Sequence, residues 1–221
     1  QGDMQRAKSK LLLALSQAPN WPQALDAMGY YLENTGDTAN AAIYYQKAVT
    51  IAPGSGSVQN NYGTYLCRVG QYQQADYHFM LAVQDINYLN TAEAYENAGL
   101  CSMEIPDNNK ALAYFIKAMQ EDPHRTTSVL EIAQINYKRG DYAVAQSYLD
   151  NYFAQVPQPG AEAMLLAIRL AHTRNDTATI GKYAVMLQSE YPGSIEYKEL
   201  RAMQGLNTAS TTNNFNLGIK P

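Results

Sequence analysis

Long apolar runs are missing from this chain. Hydrophobic residues make up 46% of it, yet no stretch approaches the ~18 consecutive apolar residues that a helix needs to cross a bilayer. That content therefore serves a folded core. A basic excess is missing too. Sixteen Lys and Arg against 20 Asp and Glu leave a net charge of −4, which argues against a nucleic-acid partner, since that would call for a basic stripe. Charge of either sign is scarce at 16%, low for a cytosolic helical protein, so Gln, Asn and the 18 tyrosines must carry much of the polar surface. No signal peptide is visible, and the first residue is Gln rather than Met, as in a processed chain whose targeting information has been removed.

Chemistry-bearing clusters are also lacking. His78, His124 and His172 have no histidine partner at i+4 and no neighbouring cysteine, so metal ligation is not expected. Gly54-Ser55-Gly56-Ser57 lacks the lysine of a phosphate loop and follows Pro53, which reads as a turn. Asp141 and Asp176 open turns as helix caps rather than forming an acid–base pair. The scattered methionines read as gap-fillers. No catalytic set, cofactor or metal is expected, and the chain reads as non-enzymatic.

What is present is a repeat. Ala7, Leu11, Ala14 and Pro19 share their spacing with Ala41, Tyr45, Ala48 and Pro53. Further copies are Ala75, Phe79, Ala82, Asn87, then Ala111, Phe115, Ala118, Pro123, then Ala145, Leu149, Tyr152, Pro157. The period runs 34, 34, 36 and 34 residues. Residues i, i+4 and i+7 share one helix face, so each copy sets two small residues and one bulky one against a neighbouring helix, and the proline ends it. A preceding helix repeats as well: Met28-Gly29, Tyr62-Gly63, Gly99 and Ile132-Ala133 stand one period apart, with Gly36, Gly70 and Gly140 in the turns, where a positive φ is wanted. Paired helices at this period are the tetratricopeptide (TPR) pattern.

The predicted fold is all-α, a TPR superhelix of about six repeats with a truncated first repeat and a C-terminal capping helix. The repeats fall near 2–19, 22–53, 56–87, 92–123, 126–157 and 160–192, with the cap at 194–204 opened by Ser194. Together they form one domain over 1–204, and 205–221 is expected to be a flexible tail. Helices are predicted at 22–35, 38–51, 56–69, 72–85, 90–104, 107–120, 126–139, 142–156, 160–174, 177–191 and 194–204. Such an array builds a binding surface rather than a catalytic pocket.

First helices of successive repeats lie side by side and line the concave groove. Their groove positions are Asp26, Tyr30 and Asn34 in one repeat and Asn60, Asn61, Thr64 and Arg68 in the next. Glu93, Glu96 and Asn97 follow. Asp26, Tyr30 and Glu93 stand where carboxylate-gripping TPR proteins need Lys and Asn, so the groove is expected to take an extended or helical segment with apolar and amide groups. Tyr30 and Asn60 are its sharpest candidates. Cys67 and Cys101, 34 residues apart, both fall near the end of a first helix. A disulfide between them would bridge neighbouring repeats and imply an oxidising compartment; the alternative is two buried free thiols.

The stretch Asn60-Asn61-Tyr62-Gly63-Thr64-Tyr65-Leu66-Cys67, followed one period on by Asn97-Ala98-Gly99-Leu100-Cys101, resembles the type IV pilus biogenesis/stability TPR lipoproteins, the pilotin or PilF/PilW family. Matched cysteines occur in some of its members. The resemblance implies a lipoprotein on the periplasmic face of the outer membrane, anchored by a lipid on a cysteine upstream of Gln1. It would assist localisation or multimerisation of the pilus secretin, with the secretin subunit and other pilus assembly proteins as partners. Two other classes remain open: a generic TPR adaptor of another envelope or cytoplasmic assembly, and an enzyme carrying an appended array.

Overall fold

The computed structural model describes residues 2–105, 107–203 and 205, and every regular element among them is α-helical. The predicted tail beyond Gly205 lies outside the described residues. The described residues pack as two compact units, divided after Ile135. The first unit holds α1 (Gly2–Gln17), α2 (Pro22–Asn34), α3 (Thr38–Ile51), α4 (Gly56–Arg68), α5 (Tyr72–Ala82), α6 (Thr91–Met103), α7 (Asn108–Glu121) and most of α8 (Thr126–Arg139). The second holds α9 (Tyr142–Gln155), α10 (Ala161–Thr173), α11 (Thr177–Glu190) and α12 (Ile195–Met203).

The turns within repeats share one construction. Gly36, Gly70 and Gly140 take positive φ, and Asn175, the only other such residue outside Gly205 among the described residues, fills the same slot with φ 55°. Asn tolerates the left-handed region better than other side chains. The residue after each donates its N–H five positions back: Asp37 to Leu32, Gln71 to Leu66, Asp141 to Asn136 and Asp176 to Ala171, all within 3.0 Å. That bond satisfies a helix-end carbonyl. Asp37 and Asp176 then cap the next helix by accepting from Asn40 and Thr179 N–H, whereas Asp141 makes no such side-chain bond. One residue thus closes one helix and opens the next.

Within the first unit, the alanine seam and the aromatic that follows it set helix spacing. Ala41, Ala75 and Ala111 are fully buried, as are Tyr45, Phe79 and Phe115. Each ring lies on a glycine of the first helix. A Cβ on Gly29 would stand 2.9 Å from the Tyr45 ring, on Gly63 2.9 Å from Phe79, and on Gly99 2.6 Å from Phe115. A methyl group does not fit in that space. One period on, the sequence changes both members together, to Ala133 and Leu149.

Many tyrosines that composition assigns to the surface are instead core. Tyr45, Tyr62 and Tyr65 form one buried ring cluster. Phenol tips reach polar partners: Tyr45 donates to Glu33 at 3.1 Å, Tyr65 to the Thr38 carbonyl at 3.0 Å, and Tyr114 to Asp76 at 2.7 Å. In the second unit Met164, Leu165, Ile168, Leu187 and Leu200 form a separate core. Leu200 comes from α12, which Ser194 caps by accepting from Tyr197 N–H at 3.0 Å.

The predicted and observed helices differ most at α5, which ends at Ala82 rather than 85. Its 11 residues compare with 14 in both α3 and α7. The chain leaves the helix early because Asp85 turns back and accepts from Gly56 N–H at 2.8 Å and Asn87 N–H at 3.0 Å.

Replacing Gly99 with Ala should destabilise the protein by about 1–3 kcal/mol, overpacking winning over the ~1 kcal/mol that Ala brings to a helix. Gly181→Ala, in α11 with nothing within 4 Å of its added methyl, should instead stabilise by up to about 1 kcal/mol. Urea denaturation of both variants checks the contrast; equal effects would show that ring-on-glycine contact does not set the spacing.

Candidate protein-binding groove

The first helices α2, α4 and α6 border a concavity of about 460 Å³ lined by Asp26, Tyr30, Asn60, Asn61, Thr64, Arg68, Glu93 and Asn97, with Ala27 and Tyr45 at its floor. Helical spacing explains the set: Asn60, Asn61, Thr64 and Arg68 follow one stripe of α4. Tyr30 is the open aromatic of the groove, 60% exposed.

Two expected groove residues lie elsewhere. Glu96 is 7% exposed and binds Arg125 together with the Ser128 N–H and hydroxyl, at 3.1 and 2.7 Å. Burial at its helix position turned an expected recognition carboxylate into a tie between α6 and α8. Asn34 is exposed at the end of α2, outside this lining, and its amide donates to the Tyr30 carbonyl at 2.8 Å. Asn60, expected at a groove position, lines the groove but is only 3% exposed.

The amides also link neighbouring first helices. Asn61 donates to Asp26 at 2.6 Å, and Asn97 donates to Asn60 at 3.1 Å. Arg68 is committed as well, donating twice to Glu33, with Nη2–Oε2 at 2.7 Å. Its charge is thereby offset, so among the described residues lining the groove no free cation is left for a peptide carboxylate. His78 lies away from this lining, half-buried, with Nδ1 2.6 Å from the Gln59 amide oxygen; burial lowers its pKa. His124 and His172 are exposed.

Asp26 is the groove's electrostatic anomaly. Burial pushes its carboxyl up from 3.8 to about 6, against the downward pull of the Asn61 hydrogen bond. Its Oδ1 is buried without a hydrogen-bond partner, which is costly for a charged form. Because the folded pKa exceeds the unfolded one, the native state holds the extra proton between these values. The associated stability is full below about 3.8 and is lost as pH rises through about 6.

At the far end of the same helices, the structure joins Cys67 to Cys101 with Cα atoms 5.8 Å apart. The bond fastens α4 to α6 beside the groove. Among the described residues there is no cluster of metal-ligating side chains and no helix long and apolar enough to cross a membrane.

Paired helices with an alanine seam and a polar groove define a tetratricopeptide-repeat protein, and a model of the tetratricopeptide repeat matches residues 22–55. Type IV pilus assembly protein PilF of Pseudomonas aeruginosa is 32% identical over 201 residues, 91% of this chain and 79% of that protein. The chain belongs to the PilF family of type IV pilus assembly proteins. The solved structure of P. aeruginosa PilF matches with a TM-score of 0.84 at 31% identity, over 91% of this chain and 90% of that one. PilW, described as a widely conserved type IV pilus biogenesis factor, shares the fold with a TM-score of 0.80 at 24% identity, over 90% and 91% of the two chains.

Two measurements test this region. Thiol titration of the denatured, unreduced protein should find no free cysteine, and reduction should cost about 3–4 kcal/mol for a loop of this length; two reactive thiols would remove the bridge. Asp26→Asn should raise stability at pH 7.5 by on the order of 1–2 kcal/mol, a figure discounted for the groove's openness, and should leave it nearly unchanged at pH 4. A variant that keeps the wild-type pH slope would assign that slope to other groups.

Proposed function

We propose that this chain is a non-enzymatic scaffold of type IV pilus assembly, acting as a pilotin that binds a segment of the pilus secretin subunit in the groove between α2, α4 and α6. The observation that carries the reading is the groove itself: an open tyrosine, Tyr30, set among amide and hydroxyl side chains in a chain of the PilF family. Aromatic rings give large contact area at low entropic cost and dominate binding hot spots. The ion-paired Arg68 favours an internal segment over a free carboxyl terminus. We further propose that it works in the cell envelope, as a lipoprotein on the periplasmic face of the outer membrane. The Cys67–Cys101 bridge supports an oxidising compartment.

Tyr30→Ala removes a half-exposed ring without opening the core. It should leave the melting curve unchanged and weaken binding of the purified secretin subunit by about 1–2 kcal/mol. In cells the same variant should reduce secretin multimers. Normal multimers would place binding elsewhere, and normal multimers in cells lacking the protein altogether would reject the pilotin role. Asn60 is unsuited to this test, because its burial couples any binding loss to a folding defect.

A further inference from the structure

The junction between α5 and α6 is built unlike its neighbours. It spans eight residues, Val83 to Asn90, where α3 and α4 are separated by four, Ala52 to Ser55. It carries Asn87 where the other units place proline. Two side chains pin it. Asp85 accepts from Gly56 and Asn87 N–H, and Tyr88 packs on Gly56, where an added Cβ would stand 2.5 Å from the Tyr88 Cβ. Between and beyond these anchors project Ile86 and Leu89, 96% and 94% exposed.

Scattered surface aliphatics need no explanation. Here, however, two of the most exposed large apolar side chains among the described residues flank one half-buried ring, Tyr88, on a loop held in shape from within. A preorganised loop of this kind loses little entropy when it docks. The borders are acidic: Asp85 in the loop, Glu93 in the first turn of α6, and Glu121, which accepts from the Thr91 hydroxyl at 3.5 Å. The nearby cation Arg125 is already paired with Glu96. An anionic lipid surface would be repelled by such a border, whereas basic side chains around an apolar recess would complement it.

We propose that this loop is a second docking site, with Ile86 and Leu89 entering an apolar recess bordered by Lys or Arg on a protein of the pilus assembly. The inference rests on the assignment to that assembly, and the secretin subunit is the occupant to which it commits. Binding of the purified secretin subunit should be measured for the full chain, for the Ile86→Ser/Leu89→Ser double variant and for Tyr30→Ala. The double variant should keep the wild-type melting temperature and bind about tenfold more weakly. Wild-type affinity should fall with added salt, as a charged border requires.

Wild-type affinity in the loop variant, with wild-type binding intact, would overturn the loop site and leave the groove reading standing. Wild-type failure to bind the secretin subunit would reject the function and the loop site together. Loop-dependent flotation with phosphatidylethanolamine–phosphatidylglycerol vesicles, or loop-dependent self-association in sedimentation, would assign the patch to lipid or to a second copy and overturn the proposal.

Discussion

The contact between a ring and a bare glycine backbone governs the first unit of this molecule. Where Tyr45, Phe79 and Phe115 rest on Gly29, Gly63 and Gly99, the two helices of a repeat approach as closely as a missing methyl group allows. The alanines at the seam permit the approach, but the ring fixes its depth. Interiors are close-packed, so a displaced ring is felt by its neighbours. Here the neighbours include the adjoining repeats, because Tyr45 of α3, Phe79 of α5 and Ala98 of α6 share one core. Groove width is therefore set indirectly, since first helices stand where their second helices hold them.

A polar groove so constructed serves two purposes at once. Asn61 and Asn97 tie successive first helices through Asp26 and Asn60, and the same side chains line the concavity. Arg68 likewise neutralises Glu33 while forming the wall. These bonds hold the surface in shape before any partner arrives, which lowers the ordering cost of binding. Asp26 shows the opposing cost. Its carboxylate is desolvated beyond what one amide compensates, and the native state tolerates this because the surrounding packing over-determines its position.

Most of the architecture was legible because it depends on period. Small residues at fixed spacing, turn glycines and terminating prolines are local signals, and observed helix boundaries fall within one or two residues of the predicted ones except at α5. Burial on the groove side was less legible. A first helix touches the helices before and after it, so a polar residue on its groove face can point into the opening, as Tyr30 does, or sideways into a neighbour, as Glu96 does. Heptad-like spacing places both on the same stripe. The difference arises from Arg125 and Ser128, about 30 residues away, which supply Glu96 with partners. A sequence position carries no mark of that.

The α5–α6 junction did leave a mark, in its 36-residue period and its missing proline, but the mark shows only that something differs. Its content follows from how repeat arrays tolerate change. Each repeat contacts mainly its neighbours, so a junction can lengthen provided the seam on either side keeps its register. Ala75 and Ala111 do keep it, both fully buried. The last turn of α5 is surrendered, and Asp85 and Tyr88 anchor the released residues to the start of α4. The array thereby gains two outward aliphatic side chains without disturbing a ring-on-glycine contact. The Asp85 cap and the half-buried Tyr88 hold the released residues in one shape, which is the preorganisation that docking at this loop would draw on.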